Sequence, residues 1–281
     1  MTETVWITGG NSFTAGHLSP ALKQAGYQVN QTAIDITDAA ACDTFIKRER
    51  PDYIIHLAAI SFVPAGQDAE IYAVNTLGTE NVLKAATIAP PKKIILPSTS
   101  HIYGRQSLPV IDEAVAPAPV SHYGCSKLAM EYLAANYQPS LPIQIVRPFN
   151  YTGRGQAAQF LIPKLVSHFA RRATTIQLGN IDVWRDISDV RWVVQAYLGL
   201  LTASPQGPLN LCRGEAISIR EMLTMLEQLT GHQIKIEQDP ALMRRDELPR
   251  QCGSQIQLRA ALPLLPEPLP ITETLAWMLA V

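Results

Sequence analysis

Between Thr4 and Arg147 short β-branched runs alternate with helical stretches, and that alternation leaves few folds open. Segments 5–8, 27–30, 53–57, 93–96 and 143–146 have the length and side chains of buried strands. The stretches between them carry helix signals. Asp38 can cap a helix over 39–50 that Pro51 stops, a long helix over 71–89 ends at Pro90 and Pro91, and another over 123–137 ends before Pro139. Repeated βα units of this kind predict an α/β protein with a doubly wound parallel sheet and right-handed crossovers.

Beyond Arg147 the alternation fades and Pro, Gly and isolated Arg become frequent. This predicts a main domain over 1–150, to which 181–204 returns with a helix at 190–201, and a smaller α/β lobe from 151–180 and 205–281. In that lobe Ser218 and Glu221 form an S-x-x-E capping box. With 23 basic and 24 acidic residues in 281, and no basic run longer than Lys92-Lys93 or Arg171-Arg172, the chain is a poor candidate for nucleic acid or a membrane surface. Cys42, Cys125, Cys212 and Cys252 are scattered without a CxxC pair, so neither a zinc site nor a disulfide framework is expected. No basic leader and no membrane-length apolar stretch is seen, and the expected compartment is the cytoplasm.

Strand 5–8 runs into Gly9, Gly10, Asn11, Ser12, Phe13, Thr14, Ala15 and Gly16, then an amphipathic helix. Small residues there would let backbone N–H groups and a helix N-terminus face a pyrophosphate. The loop read alone fits equally an ordinary βα turn, because Ser12 and Ala15 stand where glycines would bring the backbone closest. Asp35-Ile36 likewise reads either as an adenine-side contact or as an acidic turn before the Asp38 cap.

Tyr123 and Lys127 share one face of a helix start, so the lysine charge can lower the phenol's proton affinity. A hydroxyl from the P-S-T-S segment at 97–100 would complete a proton-transfer group. His56 reads as a packing residue, Asn75 as a holder of local geometry, and Tyr103 as structural.

Four blocks, Thr8-Gly9 with Phe13, I-I-H-L-A-A at 54–59, V-N-T-L-G-T at 74–79, and Thr99 with Tyr123 and Lys127, together resemble the extended short-chain dehydrogenases/reductases. The resemblance implies a Rossmann-type dinucleotide domain and a catalytic set of Thr99, Tyr123 and Lys127. It places Gly9, Ser12, Phe13, Thr14, Asp35, Ile36, Leu57, Ala58 and Ala59 around the cofactor, with Tyr123 and Lys127 touching it as well. R-P-F-N at 147–150, L-G-N-I-D at 178–182 with Arg185-Asp186, and D-P-A-L-M-R-R at 239–245 resemble the branch that handles GDP-sugars, nearest its GDP-4-keto-6-deoxy-D-mannose reductases. That implies Asn150, Arg185 and Arg244 on the substrate side, where forked guanidinium donors suit a diphosphate.

His101 stands where the dehydratases of this branch have a glutamate, which favours ketone reduction over elimination. An epimerase or 4,6-dehydratase is the alternative enzyme, and a non-catalytic dinucleotide-binding regulator the alternative of another class. The second strand ends in Asn30, Gln31 and Thr32, so the expected cofactor is NADP(H) or NAD(H), with a slight preference for NADP(H). No metal is expected, and a homodimer through helices 71–89 and 123–137 is implied by the resemblance.

Overall fold

The computed structural model describes residues 2–61, 68–243 and 248–280. The first half runs β1 Thr4–Thr8, α1 Phe13–Gln24, β2 Gln28–Asn30, α2 Ala39–Glu49, β3 Tyr53–His56, α3 Asp68–Tyr72, α4 Thr79–Ala86, β4 Lys93–Pro97, α5 His122–Ala135 and β5 Ile143–Pro148. The second half runs β6 Asn150–Thr152, α6 Leu161–Ala170, β7 Thr175–Leu178, β8 Trp184–Asp189, α7 Val190–Thr202, β9 Leu209–Leu211, β10 Ala216–Ser218, α8 Ile219–Thr230, β11 Lys235–Gln238, β12 Arg250–Gln251, α9 Ile256–Ala261 and α10 Ile271–Leu279.

Six strands form the main sheet in the order β2-β1-β3-β4-β5-β9, all neighbours parallel. The strand order reverses between β1 and β3, and the crevice beyond the carboxyl ends of those strands is where open α/β sheets bind ligands. Side-chain alternation along β1 sends Val5 and Ile7 to a layer with α1 and α7, and Trp6 to the opposite layer with α2, α4 and α5. Trp6 packs 4.4 Å from Phe45 there. Asp38 caps α2 by accepting from the N–H groups of Ala40 and Ala41, and the Ser218–Glu221 capping box of α8 is present with both halves made.

Three expectations need correcting. The helix expected over 71–89 is instead α3, a π-helical turn at Ala73–Gly78, and α4. And β9, given to the small lobe by sequence, completes the main sheet beside β5 and is backed by α9. The rest of the smaller lobe is a β10-β8-β12 sheet with β6 attached to β8, plus a β7–β11 pair, so β8, expected with 181–204 in the main domain, belongs to this lobe instead. Its own core joins α6, α8 and α10. Among the described residues no helix is long and apolar enough to cross a membrane.

Candidate active site

The turn after β1 is held by backbone contact. Gly9 adopts φ +63°, and a Cβ there would lie 2.8 Å from the Ala58 nitrogen, so the tips of β1 and β3 touch only because Gly9 has no side chain. Ser12, the residue expected to crowd a phosphate, has φ −74° and needs no glycine; its hydroxyl turns back and accepts from Ala15 N–H at 3.3 Å as the cap of α1. Ala15 is fully buried against the sheet. Ser12, Phe13 and Thr14 border a cavity of about 600 Å³, so the helix start, with its orphan N–H donors, faces into it.

Across that cavity stand Thr99, Tyr123 and Lys127. Thr99 follows the end of β4 by two residues and caps the 3-10 turn Ser100–Tyr103 by accepting from His101 N–H at 3.2 Å. Ser121 caps α5, setting Tyr123 and Lys127 in its first turns. Burial pushes the Tyr123 phenol up to about 12, an effect the neighbouring Thr99 side chain partly opposes. Burial pulls Lys127 down to about 8, partly offset by Glu131, and its Nζ meets Met130 Sδ at 3.4 Å. The His101 ring stands edge-on to Tyr123 with centroids 5.8 Å apart.

A buried hydrogen-bond chain fixes this geometry. Ala58 N–H donates to Thr8 Oγ1 at 3.0 Å, and Thr79 Oγ1 donates to the Asn75 carbonyl at 2.8 Å. His56 lies between, with Nδ1 2.9 Å from Thr8 Oγ1 and Nε2 3.0 Å from Thr79 Oγ1. Since Thr79 spends its proton on Asn75, His56 Nε2 is the donor, and Nδ1 accepts from Thr8. No partner remains for a second proton, and burial with the nearby Lys127 charge lowers His56 to about 3. Asn75, on the π turn, clasps both backbone groups of Ile60 at 2.8 Å and donates to Ser126 Oγ at 3.1 Å. His56 and Asn75 are thus framework residues, as the sequence suggests. So is Tyr103, which donates to Asn210 Oδ1 at 2.7 Å and receives Arg147 at 3.0 Å. Arg147 in turn makes a buried two-bond pair with Glu131, at 3.0 and 2.7 Å, tying α5 to β5.

A second compartment of about 390 Å³ adjoins the first and is bordered by Arg185, Lys164 and Asn180. Asn150, Tyr151, Gln156 and Phe160 border both. Arg185 donates to the carbonyls of Trp184 at 2.9 Å and Leu248 at 2.7 Å. Of the other expected site residues, Leu57 and Ala59 line the first compartment, while Gly9 and Ala58 form the contact behind it. Asp35 and Ile36 do not line it: Asp35 accepts from Thr37 N–H and Oγ1 at 2.9 and 2.7 Å, and Ile36 is core. Arg244 lies outside the described residues. Sequence reasoning passed over Tyr151 and Phe160, although Tyr151 directly follows Asn150 in the R-P-F-N block. It also passed over Ser98, whose buried Oγ has no partner among the described residues and which borders the cavity.

The chain is similar to known proteins over nearly its whole length. GDP-6-deoxy-D-talose 4-dehydrogenase of Aggregatibacter actinomycetemcomitans is 34% identical over 263 residues, covering 90% of this chain and 89% of its own length. GDP-6-deoxy-D-mannose reductase of Pseudomonas aeruginosa is 33% identical over 276 residues, covering 92% and 90%. The structure of RMD from Pseudomonas aeruginosa complexed with NADPH superposes with a TM-score of 0.88 at 30% identity, over 100% of this chain and 97% of that one. The family model "NAD dependent epimerase/dehydratase family" matches residues 5–212, from the first strand past the last strand of the main sheet, and the chain belongs to that family.

Proposed function

We propose that the chain reduces the C4 ketone of a GDP-4-keto-6-deoxyhexose to the corresponding GDP-6-deoxyhexose, using NADPH or NADH. The observation that carries this reading is the meeting of Thr99, Tyr123 and Lys127 in one cavity that shares Asn150 as a wall with the compartment bordered by Arg185. Two relatives named for GDP-bound 6-deoxyhexoses support the substrate class.

Ser12, Phe13 and Thr14 on one side and Leu57, Ala59 and Lys127 on the other fit a dinucleotide, and the Gly9–Ala58 contact shapes the cradle a side chain would fill. When bound, the nicotinamide supplies a hydride to C4. The carbonyl π electrons move to oxygen, Thr99 donates a hydrogen bond to that oxygen, and Tyr123 transfers its proton to it. Lys127 stabilises the resulting phenolate, which is reprotonated from solvent. Asn150 and Arg185 orient the sugar nucleotide, Arg185 through its fork of donors to the diphosphate. His101 lines the cavity where elimination would call for a carboxylate, and simple reduction needs none.

The test is to supply GDP-4-keto-6-deoxymannose with NADPH or NADH. Loss of nicotinamide absorbance in step with a C4-reduced product supports the proposal. Turnover without net cofactor consumption would show an epimerase or dehydratase instead. We also propose a homodimer through α3, α4 and α5, supported by the large apolar side chains Leu77 (57% exposed) and Tyr132 (67% exposed) left on those elements and the π turn. A monomeric mass at micromolar concentration would contradict it.

A further inference from the structure

Among the described residues, Tyr151 is the one side chain that bonds to the loop after β1 while forming a wall of both compartments. Its hydroxyl lies 2.8 Å from Thr14 Oγ1, a link across 137 residues between the start of α1 and β6. Its ring stacks on Phe13 with centroids 6.1 Å apart and planes 18° from parallel. Tyr151 borders the catalytic cavity and equally the compartment that holds Arg185. On the far side Gln156 donates to the Tyr151 carbonyl at 3.3 Å, and Gln156 also borders both compartments.

We propose that Tyr151 is a positioning residue that couples the two ligand sites, so that dinucleotide on the α1 turn tightens the binding of a nucleoside diphosphate in the adjoining compartment. This rests on the reading of the first compartment as the dinucleotide site and the second as the sugar-nucleotide site. A pyrophosphate on the first turn of α1 fixes the backbone of Phe13 and Thr14. Those are the residues that hold Tyr151, one by stacking and one by hydrogen bond. The phenol is thereby locked in the orientation that shapes the shared wall, and the second ligand no longer bears the entropy of ordering it. Coupling of this kind is reciprocal, so the diphosphate tightens the dinucleotide by the same factor. Burial raises the Tyr151 phenol above its ordinary value, so through the neutral range it remains a neutral hydroxyl able to keep the Thr14 bond.

Calorimetric titrations of GDP and of UDP, each with and without saturating NADPH, test this in the wild-type chain, Tyr151→Phe, Thr14→Val and the double variant. In the wild type, NADPH is expected to lower the Kd of the binding diphosphate on the order of 10-fold, within the usual span of such couplings. Tyr151→Phe keeps the ring and its stacking but deletes the hydroxyl, and is expected to bring the factor below about 3-fold. Thr14→Val should do the same, and the double variant should lose no more than either single one. Retention of the wild-type factor in Tyr151→Phe, additive losses in the double variant, or no coupling in the wild type with either diphosphate would each overturn the proposal. Which base binds bears only on the substrate class proposed above. Turnover with GDP-4-keto-6-deoxymannose is measured separately, so loss of that reading is distinguished from loss of this one.

Discussion

Tyr123 and Lys127 stand one helical turn apart on α5, and burial drives their proton affinities apart: the phenol rises to about 12 while the ammonium falls to about 8. The phenol therefore keeps its proton across the working range, as the acid of the proposed reduction must. The lysine is charged below about pH 8 and loses that charge above it.

From this follows a pH dependence. The phenolate left by proton transfer needs the Lys127 charge, so kcat/KM for ketone reduction should fall as pH rises above about 8. Lys127→Met should be slow at every pH and lack that alkaline limb. A wild-type profile flat to pH 10 would contradict the role given to Lys127.

His56 sets a pH dependence of stability and not of rate. Its folded value, about 3, lies below the ordinary 6.5, so between those values the unfolded chain takes up a proton that the folded chain refuses. Its contribution is complete above pH 6.5 and is lost as pH falls, by up to about 1.4 kcal/mol per unit. Urea unfolding at pH 7 and pH 5 measures this. His56→Asn, which leaves Thr8 and Thr79 without their shared partner, should cost about 1–3 kcal/mol at pH 7 and show a shallower loss on acidification. Equal slopes in the two proteins would rule out His56 as the cause.

Much of this was legible in the sequence because strand content and helix caps are local properties. β1, β3, β4 and β5 are short apolar runs rich in Ile and Val, and Asp38 and Ser218 stand as caps at the starts of α2 and α8. β9 escaped because Leu-Asn-Leu is too short for a period, and only the neighbouring β5 makes it a strand. The π turn at Ala73–Gly78 escaped because its sequence is helical in character, and what marks it is the Asn75 clasp on Ile60, a contact across 15 residues. Tyr123 and Lys127 were readable from type and spacing as one helix face behind the P-S-T-S segment, while the choice of Thr99 within that segment came from the family resemblance. The role of Tyr151 was not, since it depends on Thr14, a partner 137 residues away. Ser12 looked costly in sequence because a side chain's direction is not written there; the fold turns the hydroxyl into a helix cap.

Cofactor choice follows from the end of β2. Gln31 donates to the Gly10 carbonyl at 2.8 Å and accepts from Ser19 at 2.7 Å, which sets an amide beside the dinucleotide loop where NAD-selective enzymes place a carboxylate. Glu49 reaches β2 from α2, accepting from Asn30 at 3.1 Å, and is paired with Arg48 at 2.6 Å. The expected result is modest preference for NADPH with usable NADH. A kcat/KM advantage for NADH beyond about 100-fold, equivalent to about 2.7 kcal/mol, would mean that a carboxylate such as Glu49 engages the ribose.

Single-turnover hydride transfer from NADPH to GDP-4-keto-6-deoxymannose, compared between the wild type and Tyr123→Phe, tests the central claim most directly. Deleting the proton donor while keeping the ring should slow transfer by about 100-fold or more, with the NADPH Kd changed by less than about 3-fold. Transfer in Tyr123→Phe within a few-fold of the wild-type rate would contradict the assignment of Tyr123 as the acid, and with it the mechanism built on Thr99, Tyr123 and Lys127.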